Sequence, residues 1–167
     1  RKNHHKLLKI FFDLKLEDIA LVLIGNSSIN NAEFSKYVNE LTDDQKKLFF
    51  HLKNIDEEDL KEFYRACDIF VYPSLAEGFG IPPLEAAATK SNVICSKSTA
   101  MKEFDFFSPY HLDPTNDEQL GKALKDLNIQ TRNEDRLIKI SELVKNNYSW
   151  ESSAKKMSQI IMSFENK

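Results

Sequence analysis

Two glutamates, Glu77 and Glu85, stand eight positions apart in the stretch PSLAEGFGIPPLEAA (73 to 87). Between them lie Gly78, Gly80, Pro82 and Pro83. Glycine lets a backbone approach a ligand with no Cβ in the way, and proline is tolerated in the first turn of a helix, where its missing N–H has no intrahelical partner. Residues 73 to 81 therefore read as a loop leading into a helix opened by Pro82 or Pro83. The free amides of Gly78, Phe79, Gly80 and Ile81 can converge at that helix N-terminus, whose partial positive charge favours a phosphate. Carboxylates repel phosphates, so Glu77 and Glu85 fit a ligand that carries hydroxyls as well. A nucleotide sugar has that layout: ribose, diphosphate, sugar. A plainer reading stands beside it, in which the glycines make a turn, Glu85 complements the helix dipole and Glu77 is solvated.

The other reactive residue types form no such grouping. His4 and His5 are adjacent while His51 and His111 lie far away, so no metal-ligand spacing is present and each histidine is expected to be structural or solvated. Cys67 and Cys95 each border an apolar run and are expected to be buried, reduced thiols.

The elements that must position the loop follow from hydrophobic patterning. Short apolar runs at 19 to 25 (IALVLIG), 48 to 52 (LFFHL), 68 to 72 (DIFVY) and 92 to 96 (NVICS) read as buried parallel strands, with a weaker fifth at 108 to 113 (SPYHLD). Between them, HHKLLKIFFDL, NAEFSKYVNEL, DEEDLKEFYRAC and PPLEAAATK repeat their apolar positions near 3.6 residues, as crossover helices do. The alternation predicts an α/β fold, a Rossmann-like parallel sheet flanked by helices with right-handed crossovers. In such sheets ligands bind beyond the carboxyl ends of the strands, where 73 to 81 lies. From 115 to 167 only helical patterns occur, with Thr115 or Asn116 and then Ser149 and Ser152 at helix starts. These C-terminal helices are expected to cover the sheet edge or pack on a partner domain.

With 167 residues and 41% apolar content, one domain is expected. The 23 basic and 26 acidic residues leave a net charge of -3, which gives no general reason to bind nucleic acid. No run is apolar enough for a membrane span, no signal-peptide layout opens the chain, and the thiols suit the cytoplasm. The opening Arg-Lys-Asn-His-His-Lys, without Met, reads as the start of an excised piece.

DIFVYPSLAEGFGIPPLEA (68 to 86) resembles the signature D-x-F-V-x-P-S-x-x-E-G-F-G-x-P-x-x-E-A of the donor-binding C-terminal domain of GT-B glycosyltransferases, the retaining family 4 or group 1 enzymes. The openings RKNHHKLLKIF, NIDEEDLKEFYRACD, LDPTNDEQLGKAL and YSWESSAKKM are similar to further segments of that family, so the resemblance spans nearly the whole chain. It implies that Glu77 meets the donor sugar's hydroxyls, that the amides of Gly78, Phe79, Gly80 and Ile81 meet sugar and distal phosphate, and that Glu85 binds the ribose. It implies that Lys2 offsets charge on the departing diphosphate, which makes Glu77 and Lys2 the catalytic candidates. Lys53, Asn54 and Ile55 match the loop whose backbone meets the base.

The resemblance further implies a nucleotide-diphospho-sugar donor with no cofactor and no required metal. RKNH leans toward GDP-mannose, and the acceptor would be a glycan or lipid-linked molecule in polysaccharide or lipopolysaccharide synthesis. The family's N-terminal acceptor domain, the first strand of its C-terminal domain and an arginine before the lysine would lie upstream of Arg1. Residues 1 to 167 would then be the donor-binding half, inactive alone, and peripheral association of the whole protein with the inner face of the membrane stays open.

Three departures stand out. Lys90, Ser91 and Asn92 replace a usual glycine and proline, GNSS (25 to 28) lacks a second glycine, and Phe104, Phe106 and Phe107 make 98 to 110 unusually aromatic. Those rings are either core or face a missing domain. A nicotinamide-dependent dehydrogenase would need G-x-G-x-x-G after the first strand, whereas here G-x-G falls late and runs into Ile-Pro-Pro. A non-catalytic binding or regulatory module is the remaining alternative.

Overall fold

The computed structural model describes residues 1 to 16, 18 to 25 and 32 to 165. Its elements alternate as α1 (His4–Asp13), β1 (Leu21–Ile24), α2 (Ala32–Asn39), α3 (Asp43–Lys47), β2 (Phe49–Leu52), α4 (Glu57–Ala66), β3 (Ile69–Tyr72), α5 (Ile81–Ala88), β4 (Asn92–Ser96) and β5 (His111–Leu112). Two short 3-10 turns, Thr99–Glu103 and Asp105–Phe107, separate β4 from β5. Then come α6 (Asp117–Ile129), α7 (Glu134–Tyr148) and α8 (Trp150–Glu165). The five expected strands are present, each within a residue or two of its apolar run except β5, which keeps only two residues. Of the GNSS turn, Asn26, Ser27 and Ser28 lie outside the described residues.

All strand pairs are parallel. Leu21 aligns with Phe49 in β1–β2, Ile69 with Asn92 in β3–β4, and Cys95 with His111 in β4–β5. The ladders form two groups, β1–β2 and β3–β4–β5, with no pairing between them among the described residues. β1 and β3 therefore each keep an unpaired edge. One core cluster joins the two groups: Leu7, Leu8, Ile10, Phe11 and Phe12 of α1 and Leu120, Ala123 and Leu124 of α6 pack with Leu21, Leu23, Ile94 and the half-buried Ile69 and Val71. A second cluster lies on the opposite face of β3–β4, where Leu84, Ala86 and Ala87 of α5 and Ile140 and Val144 of α7 meet Tyr72, Val93, Cys95, Met101, Phe104 and Phe107. Helices thus cover both faces of the larger group, as a parallel sheet requires.

The apolar runs of β1 and β2 suggest strands buried on both faces. The structure buries Leu21 and Leu23, but leaves Val22, Ile24 and Phe50 exposed at 39%, 37% and 47%. No described element covers that second face of the smaller group.

The aromatic stretch resolves as core, since Phe104 and Phe107 are buried at 2% and 1%. Asn116 caps α6 by accepting from the Gln119 amide at 2.9 Å, and the Ser149 hydroxyl receives the Ser152 amide at 3.1 Å at the start of α8. α6 and α7 pack on the two faces of the sheet. Trp150, Met157, Ile160, Ile161 and Phe164 of α8 remain exposed.

Candidate donor-binding site

The loop after β3 is built around Glu77. A buried hydroxyl and a phenol donate to one of its carboxylate oxygens, Oε1: Ser74 Oγ at 2.7 Å and Tyr72 OH at 3.1 Å. Lys2 Nζ stands 3.6 Å from the same oxygen, while among the described residues Oε2 has only the Arg1 guanidinium, at 3.9 Å. The backbone is fixed as well, because the Thr99 hydroxyl accepts from the Glu77 amide and donates to the Glu77 carbonyl, both at 2.9 Å. Ser96 and Ser98 donate to the Ser74 carbonyl at 2.6 and 2.9 Å, tying the loop after β3 to the end of β4. Burial pushes the Glu77 carboxyl up, but the Ser74 bond, the Lys2 ammonium, the Tyr72 bond and the Arg1 guanidinium outweigh it and hold it below the ordinary range. Glu77 is therefore an ionised acceptor with one oxygen saturated and the other open to a ligand hydroxyl.

Glu85 sits on the exposed side of α5 and receives the Tyr64 hydroxyl of α4 at 2.9 Å. The Tyr64 ring lies 5.5 Å from Phe70, which stacks on Tyr72 at 6.1 Å, so a row of aromatics on β3 and α4 underlies both carboxylates. Burial first, and then the adjacent carboxylate, push both phenols well above their ordinary ionisation. They remain donors at neutral pH.

Between the carboxylates, Gly80 adopts φ 101° and caps α5, which begins at Ile81 rather than at Pro82 or Pro83. A left-handed residue turns the chain into the helix one position earlier than the prolines suggest. The amides of Gly78, Phe79, Gly80 and Ile81 donate to no partner among the described residues. They lie at the helix N-terminus with Lys2 and Arg1 nearby, a cationic and dipolar setting for an anion.

Lys2 precedes α1 and reaches the site from a distant part of the sequence. Its Nζ donates to Tyr72 OH at 2.6 Å and lies 4.8 Å from the ring centroid. The Arg1 carbonyl accepts from the Leu75 amide at 2.9 Å and lies 3.3 Å from Ser74 Oγ, which docks residues 1 and 2 on the loop. Lys53, Asn54 and Ile55 follow β2, at the same end of the parallel strands, with Asn54 at φ 54°. No hydrogen bond or ion pair joins Lys53 or Ile55 to the groups around Glu77 or Glu85. The structure brings Lys2, Glu77, Glu85 and residues 78 to 81 onto one loop and helix start, and leaves residues 53 to 55 on the neighbouring ladder.

Sequence reasoning missed Arg1, Tyr64, Tyr72, Ser74 and Thr99. Ser74 and Tyr72 flank the motif closely enough to be suspected, but Thr99 is 22 residues from Glu77, and no local pattern announces it. The histidines serve packing: His111 Nε2 pairs with the Met101 carbonyl at 2.9 Å, His51 Nε2 with the Gly25 carbonyl at 3.0 Å, and His4 packs edge-on against Phe34. His5 lies 3.7 Å from Glu33. Among the described residues no three His, Cys, Asp or Glu side chains cluster as a metal site. Both cysteines are free thiols, and burial pushes Cys95 up to about 12.

The sequence model of the family described as "Glycosyl transferases group 1" matches residues 1–144. The chain belongs to the group 1 glycosyltransferases. Among curated relatives of this group 1 chain, the serotype-specific mannosyltransferase WbdA of Escherichia coli is 30% identical over 128 residues, covering 75% of this chain and 16% of the relative. The O-antigen chain mannosyltransferase RfbU of Salmonella typhimurium is 34% identical over 82 residues, covering 49% of this chain and 23% of the relative. The group 1 chain thus spans less than a quarter of the length of either. Among solved structures, the C-terminal domain of the group 1 family protein LpcC from Francisella tularensis superposes with a TM-score of 0.73 at 25% identity, over 88% of this chain and 79% of that one. Anabaena Alr3699/HepE, solved with UDP, gives a TM-score of 0.81 at 14% identity over 97% of this chain and 45% of that one. The fold is that of the C-terminal half of a GT-B glycosyltransferase.

Proposed function

We propose that this chain is the donor-binding half of a retaining glycosyltransferase that moves a hexose from a nucleotide-diphospho-sugar to a glycan or lipid-linked acceptor in polysaccharide or lipopolysaccharide synthesis. The observation that carries the reading is the pair of oriented carboxylates, Glu77 and Glu85, each held by a phenol, flanking four amides at a helix N-terminus that are unpaired among the described residues. Glu85 accepts from the ribose, the amides of 78 to 81 and Lys2 hold the diphosphate, and Glu77 Oε2 accepts from the sugar. As the bond from sugar to phosphate breaks, negative charge grows on the leaving diphosphate. Lys2, Arg1 and the N-terminus of α5 offset that charge in place, in the role a divalent ion has in other transferases.

Mannose is the favoured sugar, supported by the names of the relatives, and GDP-mannose the favoured donor. Residues 53 to 55 supply the backbone that meets the base. The order of the two ladders supports a further feature. A doubly wound sheet ordered 3-2-1-4-5-6 that lacks its first strand leaves the groups 3-2 and 4-5-6, which is the arrangement of β2–β1 and β3–β4–β5. The reading therefore places one more parallel strand, from chain preceding Arg1, between β1 and β3, and an acceptor-binding half beyond it. Alone, residues 1 to 167 bind donor without turnover. The whole protein works in the cytoplasm, at the inner face of the membrane where lipid-linked acceptors present themselves; no helix among the described residues is long and apolar enough to cross it.

Isothermal titration of the chain with GDP, UDP, GDP-mannose and UDP-glucose tests the reading, with Glu85→Ala beside it. The expected result is binding of a nucleoside diphosphate and its sugar, weakened at least about tenfold by Glu85→Ala, the scale of a lost hydrogen bond to a charged group. Absence of binding by every nucleotide, or indifference to Glu85, would contradict it.

A further inference from the structure

The geometry points to Tyr72 as a positioning residue that keeps Lys2 and Glu77 apart, so that both remain available to the donor. The inference rests on the donor-binding reading of the site. Tyr72 ends β3, is 8% exposed, and stacks on Phe70 with an interplanar angle of 15°. Its ring therefore has one place, and its hydroxyl stands between the two charged groups: Lys2 Nζ donates to it at 2.6 Å and it donates to Glu77 Oε1 at 3.1 Å. A phenol carries a single proton, so accepting from the ammonium directs its own O–H at the carboxylate.

The consequence is a gap. Lys2 Nζ is held 3.6 Å from Glu77 Oε1, longer than the roughly 2.8 Å of a direct ammonium–carboxylate hydrogen bond. A direct pair would turn the ammonium toward the carboxylate and away from the phosphate, and would load the carboxylate with a donor that the sugar hydroxyl must displace. With the phenol interposed, Lys2 spends one of its three N–H groups on Tyr72 and keeps two, while Glu77 keeps Oε2. The remaining groups around Glu77 do not replace this function: Ser74 fills Oε1 from the loop, Thr99 fixes only the backbone, and Arg1 stands at 3.9 Å from Oε2.

Tyr72→Phe preserves the ring and removes the spacer. In crystals grown without ligand, the variant is expected to close the Lys2–Glu77 separation to about 3 Å or less, a normal charged hydrogen bond; a separation unchanged from the wild type would overturn the inference. In titrations with GDP-mannose, the variant is expected to bind about tenfold more weakly, and equal affinity would overturn it. The effect must also pass through Lys2. In a Lys2→Met background, Tyr72→Phe is expected to cost nothing further, whereas a purely structural role would add its full cost in either background. If the wild type binds no nucleotide, the donor-binding reading fails, and the crystallographic distance still decides the role of Tyr72.

Discussion

Gly78 and Gly80 are separated by one residue and serve different ends. At Gly80 the backbone is left-handed, and an added Cβ would stand 2.6 Å from Met101 Cγ and 2.9 Å from Met101 Sδ, inside the fully buried second core. Gly80→Ala is expected to destabilise the fold by about 1–3 kcal/mol, read as a lower urea midpoint. Gly78 has an ordinary backbone and nothing within 4 Å of an added Cβ. Gly78→Ala should leave that midpoint in place yet weaken nucleotide-sugar binding, because the added methyl projects into open space on the loop whose amides are proposed to meet the ligand. Glu77 makes the site sensitive to acid. Its folded pKa lies below the ordinary 4.5, so the unfolded chain takes up the proton first as pH falls. Its stabilisation is complete above about 4.5 and is lost as pH drops through the lower folded value. Glu77→Gln should flatten the limb of stability against pH below about pH 4.5; an unchanged limb would refute the assignment. The glutamates, the glycines and Lys2 were legible because their types and spacing, or a family likeness, carry chemistry. Tyr64, Thr99 and Arg1 were not, because strand register and chain return bring them to the carboxylates, and local sequence encodes neither.

At the scale of elements, β1 to β4 and the long helices could be read from periodicity, while the short or strained pieces could not. α3 went unread although Thr42-Asp-Asp-Gln45 forms a capping box, with Gln45 N donating to Thr42 Oγ1 at 3.3 Å and Thr42 N to Gln45 Oε1 at 2.9 Å. Its five residues bury no side chain, so apolar spacing has nothing to report. Thr42→Ala is expected to cost about 1 kcal/mol locally, seen as faster amide exchange over residues 43 to 48. The two 3-10 turns hid for the opposite reason. Residues 99 to 107 bury Met101, Phe104 and Phe107 without keeping a helical or strand period, so the aromatics signalled a core and no element. Phe104 touches Phe79, Phe106, Phe107 and Tyr148. Phe104→Ala should destabilise by about 3–5 kcal/mol in denaturant unfolding, since a cavity there has rigid aromatic walls.

Across the whole molecule, the fold class was plain from strand and helix alternation, but the division of the sheet was not, since hydrophobic runs state that strands are buried and not which neighbour they pair with. That division has a dynamic consequence. Among the described residues the β1–β2 ladder is clasped to the rest through side chains of α1 and α6, without a continuous hydrogen-bonded sheet. In residues 1 to 167 alone it is expected to open as a separate foldon, its amides exchanging by smaller openings than those of β3–β4, and the strand proposed between β1 and β3 is expected to remove that difference. Glu77, Glu85 and the amides between them ride on the larger ladder, whereas residues 53 to 55 ride on the smaller one. In residues 1 to 167 alone, the loop proposed to meet the nucleobase and the loop proposed to meet the sugar therefore ride on ladders that can drift relative to one another, and the strand proposed between β1 and β3 would lock them into one register.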